Sequence, residues 1–141
     1  MSHLVLELRQ GDTMIVNGAT MRFRNRCRVE LVSQARFLFG KQVMQPEDAT
    51  GLEQELYHAL QTAYAGAPEE REHAGHQART LLTQVGQKRT ADRTGIDLVS
   101  NAFEAGDFYK ALKALKNYMI KEESSNRTAN SVHVEGALTS S

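Results

Sequence analysis

The apolar residues of this chain change their period once, around residues 45 to 48, and that change limits the fold more than any other feature. Before it they alternate. Leu4, Leu6 and Leu8 are interleaved with Val5, Glu7 and Arg9, and the run stops at Gly11-Asp12, the pattern of a strand whose side chains point to opposite faces in turn. Met14-Ile15-Val16 then meets Asn17-Gly18, two residues that tolerate the positive φ of a type I′ hairpin turn. A strand from Ala19 to Phe23 should follow, then a polar turn at Arg24-Asn25-Arg26. Val29, Leu31 and Val32 form a further strand, and Phe37-Leu38-Phe39 another.

After the change the apolar residues recur every three or four positions. Gln45-Pro46-Glu47-Asp48 has a proline and acids suited to a first helical turn, so a helix is expected to begin there. Its stripe is Leu52, Leu56, Ala59, Leu60 and Ala63, extended by Tyr57 and Tyr64. Gly66-Ala67-Pro68 breaks it. Glu69-Glu70 opens a second helix with Ala74, Ala78, Leu81, Leu82 and Val85 along one face. Thr94 to Ala105 and Asp107 to Glu123 read as two more helices separated by Gly106, the last with a stripe of Phe108, Leu112, Leu115 and Met119. The fold class is therefore α+β: a small antiparallel N-terminal sheet followed by about four C-terminal helices. Residues 1–45 form a basic β-rich part, 46–123 a helical part of the same domain, and 124–141, rich in Ser, Thr, Asn and small residues, a disordered tail.

A chain of 141 residues is about the size of one ordinary domain. No run approaches the roughly 20 apolar residues that cross a bilayer, and the N-terminus lacks a secretory layout. The expectation is a cytoplasmic protein without membrane contact. Cys27 stands alone, which excludes an internal disulfide framework and fits a reducing compartment.

Net charge is zero, but the halves differ. Residues 1–45 hold seven basic side chains (Arg9, Arg22, Arg24, Arg26, Arg28, Arg36 and Lys41) against three acidic ones, +4; residues 46–123 hold nine against thirteen, −4. Such a split points to a polyanion-facing part joined to one that is not, or to ordinary surface charge.

Catalytic chemistry is not visible. His73-x-x-His76 places two imidazoles one helical turn apart, but in a polar segment with no further ligand pair, so they read as surface histidines. Cys27 lies in a strand pattern and reads as a small core side chain. Gly11 and Gly18 match no phosphate-loop spacing and read as turn residues. Glu69-Glu70-Arg71-Glu72 reads as a solvated helix start. No enzyme activity, cofactor or metal is expected. The arginines are more informative. With Arg24 and Arg26 at a hairpin tip and Arg22 and Arg28 on its flanks, four guanidinium groups crowd one element. They repel unless a polyanion neutralises them, and guanidinium groups bind phosphates bidentately. Phe37 and Phe39 could stack on bases or serve the core. The candidate RNA-contacting residues are Arg9, Arg22, Arg24, Arg26, Arg28, Arg36 and Lys41.

Gly11-Asp12-Thr13 with Asn17-Gly18-Ala19, Val43-Met44-Gln45-Pro46-Glu47-Asp48-Ala49, Leu56-Tyr57-His58-Ala59-Leu60-Gln61 and Gly106-Asp107-Phe108-Tyr109-Lys110-Ala111-Leu112-Lys113 together resemble the FlbT family of flagellin-synthesis regulators, in order and spacing, from residue 4 to about 121. The resemblance implies a post-transcriptional regulator that binds the untranslated leader of flagellin messenger RNA and represses translation or promotes decay. It names no RNA-contacting residues. A shorter likeness, over about 40 residues from the strand ending at Arg9 through Gly11-Asp12-Thr13, is to the start of the carbon storage regulators, dimeric proteins that bind messenger leaders. The alternative is a protein-interaction adaptor or chaperone-like partner in flagellar assembly, its helices gripping flagellin or another flagellar regulatory protein. A homodimer is compatible with either.

Residues 124–141 have too few apolar side chains to offset the entropy of ordering. Truncation after Glu123 should therefore leave the thermal melting temperature nearly unchanged, and a fall of several degrees would show that this segment packs.

Overall fold

Asn17 (φ +50°) and Gly18 (φ +84°) adopt the left-handed backbone of a two-residue hairpin turn, as their identities predict. They join β2 (Thr13–Val16) to β3 (Ala19–Arg22) with Val16 opposite Ala19. A computed structural model describes residues 4–88 and 92–140, with side chains through Ser124. The chain divides into two units, residues 1–85 and 86–141.

In the first unit the strands are antiparallel and form two sheets rather than one. β2 is central in the order β3-β2-β5, with β5 (Phe37–Phe39) on its other edge, and β1 (Leu4–Leu8) pairs with β4 (Cys27–Leu31). Arg24-Asn25-Arg26 is consequently not a hairpin tip: the strands on either side of it lie in different sheets, and the segment crosses between them. The register explains this. Leu4, Leu6 and Leu8 stand opposite Leu31, Val29 and Cys27, so the alternating apolar residues of β4 find their matching cross-strand partners on β1. β3 is already paired through the tight turn and exposes all four of its residues. Leu6, Leu8, Met14, Ile15 and Leu38 are buried.

Pro46–Asp48 is a separate 3₁₀ turn, and α1 (Leu52–Ala65) starts later than the proline implies. Thr50-Gly51 has low helix propensity, and Gly51 is extended (φ −126°, ψ 171°). Two side chains of α1 clasp the incoming chain. Gln61, 4 % exposed, receives the Met44 N–H at 2.8 Å and donates to the Met44 carbonyl at 2.9 Å. The Tyr57 hydroxyl donates to the Gln42 carbonyl at 2.6 Å. Buried amide-to-backbone bonds of this kind leave no orphaned polar group on either side. Leu56, Ala59, Leu60 and Ala63 are buried as expected, whereas Tyr64 is half-buried. α2 (Pro68–Gly86) follows the break at Gly66-Ala67 and buries Ala74, Ala78, Leu82 and Val85.

The second unit packs α3 (Arg93–Glu104) against α4 (Phe108–Ser140). Gly106 (φ +75°) ends α3: its N–H donates to the Phe103 carbonyl and the Asp107 N–H to that of Ala102, both at 2.9 Å, the paired bonds of a Schellman motif. Asp107 then caps α4, its Oδ1 accepting the Lys110 N–H at 3.0 Å, and the Phe108 and Phe103 rings meet at 5.5 Å. Leu112 and Leu115 are buried with Ala111 and Tyr118, while Phe108 and Met119 are half-buried. Tyr118 joins the stripe because Gly95 of α3 makes room: a Cβ there would stand 3.1 Å from the Tyr118 ring. Where a last helix ending at Glu123 and a disordered tail over 124–141 are expected, the backbone of α4 runs on to Ser140, and the side chains after Ser124 lie outside the described set.

Gly18 is tied to the helices as well as to its turn. Its N–H donates to the Ala65 carbonyl at 2.7 Å, and a Cβ on it would lie 2.5 Å from the Ala67 nitrogen. Gly11 also has positive φ but open space around it. Gly18→Ala should lower stability by roughly 1 to 3 kcal/mol and by more than Gly11→Ala in urea unfolding; equal costs would show that the contact with Ala67 can relax. In the second unit, Leu112→Ala should cost roughly 2 to 5 kcal/mol, and retention of full stability would show that α4 presents this stripe to a partner.

Candidate nucleic-acid surface

Two connections run side by side at one end of the sheets. Between β1 and β2, Arg9 and Asp12 close a turn on each other, the Asp12 Oδ2 accepting the Arg9 N–H at 2.9 Å and the Arg9 carbonyl accepting the Asp12 N–H at 3.0 Å. Between β3 and β4 the chain runs through Phe23 to Arg26. Phe23 bonds across to the first connection, its carbonyl accepting the Gly11 N–H at 2.7 Å and its N–H donating to the Asp12 carbonyl at 2.9 Å. The last β1–β4 pair is Leu8 with Cys27, and the last β2–β3 pair is Thr13 with Arg22. Arg9, Arg22, Arg24 and Arg26 therefore all leave the backbone at this junction, and all four are exposed.

Arg28 lies one position further along β4 and is engaged. Its Nε and Nη2 donate to the Glu7 carboxylate at 3.3 and 3.1 Å, across the pair that the register sets directly opposite. Both side chains are largely exposed, and a pair of that kind contributes under about 1 kcal/mol, so it opens readily to a competing anion. The structure does not bring Arg36 or Lys41 to the junction. Arg36 lies in the 32–36 connection with its guanidinium 5.8 Å from the Tyr64 ring centroid, and Lys41 in the 3₁₀ turn Gly40–Gln42. The junction is thus built by a crossover rather than a hairpin tip, with Arg22 ending β3, Arg24 and Arg26 in the crossover and Arg9 in the adjacent connection.

Phe37 and Phe39 flank the buried Leu38 and are themselves half-buried, their rings 6.2 Å apart. Cys27 is half-buried opposite Leu8. His73 and His76 are exposed on α2, and among the described residues no group of three or more His, Cys, Asp or Glu side chains is placed to hold a metal ion. Among the described residues no helix is long and apolar enough to cross a membrane. A groove of about 940 Å³ runs along α1 and α2, lined by Ala59, Ala74 and Leu81 with Glu55, Glu69 and Glu70.

Arg71 has a role that local sequence does not reveal. Read within Glu69-Glu70-Arg71-Glu72 it looks like one more solvated charge, yet its Nε donates to the Gly66 carbonyl and its Nη2 to Asn17 Oδ1, each at 2.9 Å. The partner at the hairpin tip is 54 residues away, beyond the reach of any pattern in a short window.

The motifs that carry the resemblance have structural roles: Gly18 on α1, Gln61 and Tyr57 on the 42–44 segment, and Gly106-Asp107 between two helices. A family model described as "Flagellar protein FlbT" matches residues 4–125, a span that includes all of them. Among curated proteins the chain is 33% identical over 113 residues to the "Probable flagellum biosynthesis repressor protein FlbT" of Brucella abortus (strain S19), covering 79% of this chain and 74% of that protein. It is 29% identical over 121 residues to the protein of the same name from Chelativorans sp. (strain BNC1), covering 84% and 83%. No solved structure matches it. On the extent of the family match and the coverage of these relatives, the chain belongs to the FlbT family.

Proposed function

We propose that this protein is a cytoplasmic repressor of flagellum biosynthesis that binds the untranslated leader of flagellin messenger RNA and lowers its translation or stability. The regulatory role is supported by relatives named as flagellum biosynthesis repressors. RNA as the target is supported by one observation above all, four exposed arginines, Arg9, Arg22, Arg24 and Arg26, leaving the backbone where the crossover meets the β1–β2 connection in a chain whose net charge is zero. Guanidinium groups at such a place can bridge successive phosphates of a single strand, and occupancy of the leader would block ribosome access. The Arg28–Glu7 pair would exchange its carboxylate for a phosphate.

A second reading is favoured by the α1–α2 groove, whose apolar floor and glutamate rim suit a basic amphipathic helix. On that reading the protein is an adaptor for flagellin or another flagellar regulator.

Salt dependence separates the two. Each phosphate neutralised contributes roughly −0.7 to the slope of log K against log salt for a single strand. Arg24→Ala/Arg26→Ala, on an exposed crossover, should flatten that slope by about 1.4 and lower affinity for a flagellin leader about tenfold or more, with stability within about 0.5 kcal/mol of the parent. A double variant that binds the leader as tightly as the parent at every salt concentration would remove the junction as the contact. A parent that binds no RNA at physiological salt would leave the adaptor.

A further inference from the structure

A cleft of about 850 Å³ opens at the other end of the β1–β4 ribbon, where Leu4 pairs with Leu31. Its lining includes Leu4, Val32 and Phe37, and Leu4 and Val32 are 49% and 66% exposed, so the cleft offers apolar surface to a ligand. Two guanidinium groups, Arg36 and Arg71, line the same cleft, and none of its lining residues is acidic. Arg71 is held by its bonds to Gly66 and Asn17 through Nε and Nη2, which leaves Nη1 without a partner among the described residues. Arg36 makes no hydrogen bond or ion pair among them, only its contact with the Tyr64 ring. An aromatic ring, exposed aliphatic side chains and two cations, one of them pre-positioned, form a combination suited to a flat apolar group that carries a negative charge.

We propose that this cleft binds one nucleotide unit, its base against Phe37 and Val32 and its phosphate on Arg36 and Arg71. A base offers a face for stacking whatever its identity, and a phosphate accepts two parallel bonds from a guanidinium. The unit has two sources with the same chemistry. As part of a single strand it rests on the RNA-binding reading above and adds a second contact distant from the arginine junction; as a free mononucleotide it needs only the cleft.

The test uses the full chain with two probes, a labelled single-stranded RNA of about 12 nucleotides followed by anisotropy across salt concentrations, and AMP followed by titration calorimetry. Three variants accompany the parent: Arg36→Glu, Phe37→Leu and Arg24→Ala/Arg26→Ala, each checked for its melting temperature. For a strand-borne nucleotide, Arg36→Glu should weaken RNA binding about tenfold or more and flatten the salt slope. Phe37→Leu, which keeps the charge, should weaken it roughly fivefold or more at unchanged slope. For a free nucleotide, AMP should bind the parent and not Arg36→Glu, whether or not RNA binds. If RNA binds the parent, Arg36→Glu and Phe37→Leu equally and AMP binds none of them, the cleft is not the site, while sensitivity to Arg24→Ala/Arg26→Ala would keep the RNA reading. If the parent binds neither probe, both readings fall.

Discussion

The Gly18 N–H donates to the Ala65 carbonyl at 2.7 Å, and much of the first unit depends on how close that brings two backbones. The hairpin tip lies against the α1–α2 connection with no space for a Cβ, so glycine is required twice over, by positive φ and by proximity. Arg71 closes the same seam from the helical side, bonding Gly66 and Asn17 together. A β-hairpin alone is marginal in water. Here its tip is fixed to two helices, and its central strand carries β5 on the free edge, which places Leu38 in the core and the 32–36 connection beside the turn.

The same economy appears in the segments that carry the family resemblance. Gln61 spends both ends of its amide on the Met44 backbone and Tyr57 its hydroxyl on Gln42. Gly106 and Asp107 supply a helix stop and the next helix start within two residues. These are joints, each satisfying a backbone group that would otherwise lack a partner within the chain. Their chemistry is saturated internally. The arginines of the crossover and of the cleft belong to none of those segments.

What the sequence made legible follows from the range of the physics involved. Asn17-Gly18, the break at Gly66-Ala67-Pro68 and the stop at Gly106 are local conformational demands, and the structure has each where the residues require it. The strands were legible through alternation, but their partners were not, because Leu4, Leu6 and Leu8 could match any strand of the same period; that Cys27, Val29 and Leu31 meet them is a choice among non-local pairings. The segment Arg24–Arg26 is a crossover and not the expected hairpin tip for this reason, and it is bonded through Phe23 to the connection that carries Arg9. The start of α1 was misplaced because proline and acids fit a 3₁₀ turn as well as a helix, and Gly51 decides between them. Arg71 and Tyr118 were missed because their partners, Asn17 and Gly95, are distant in sequence.

Charge placement limits how such a protein could hold a polyanion. With zero net charge it has no strong long-range field to gather a nucleic acid from a distance, and at physiological salt the Debye length is about 8 Å. Attraction must come from groups clustered within that distance. The junction offers four arginines, and a fifth once Glu7 releases Arg28, so electrostatic neutralisation alone yields a salt slope of magnitude about 3.5 or less. Binding of that strength is weak and indifferent to sequence. From Leu4 to Leu8 the β1–β4 ribbon extends about 13 Å, which separates the junction from the cleft by more than a Debye length. Two separated contacts on one strand add through effective concentration rather than through shared charge; stacking on a ring adds affinity whatever the base, so telling a leader from any other RNA needs contacts to base edges as well.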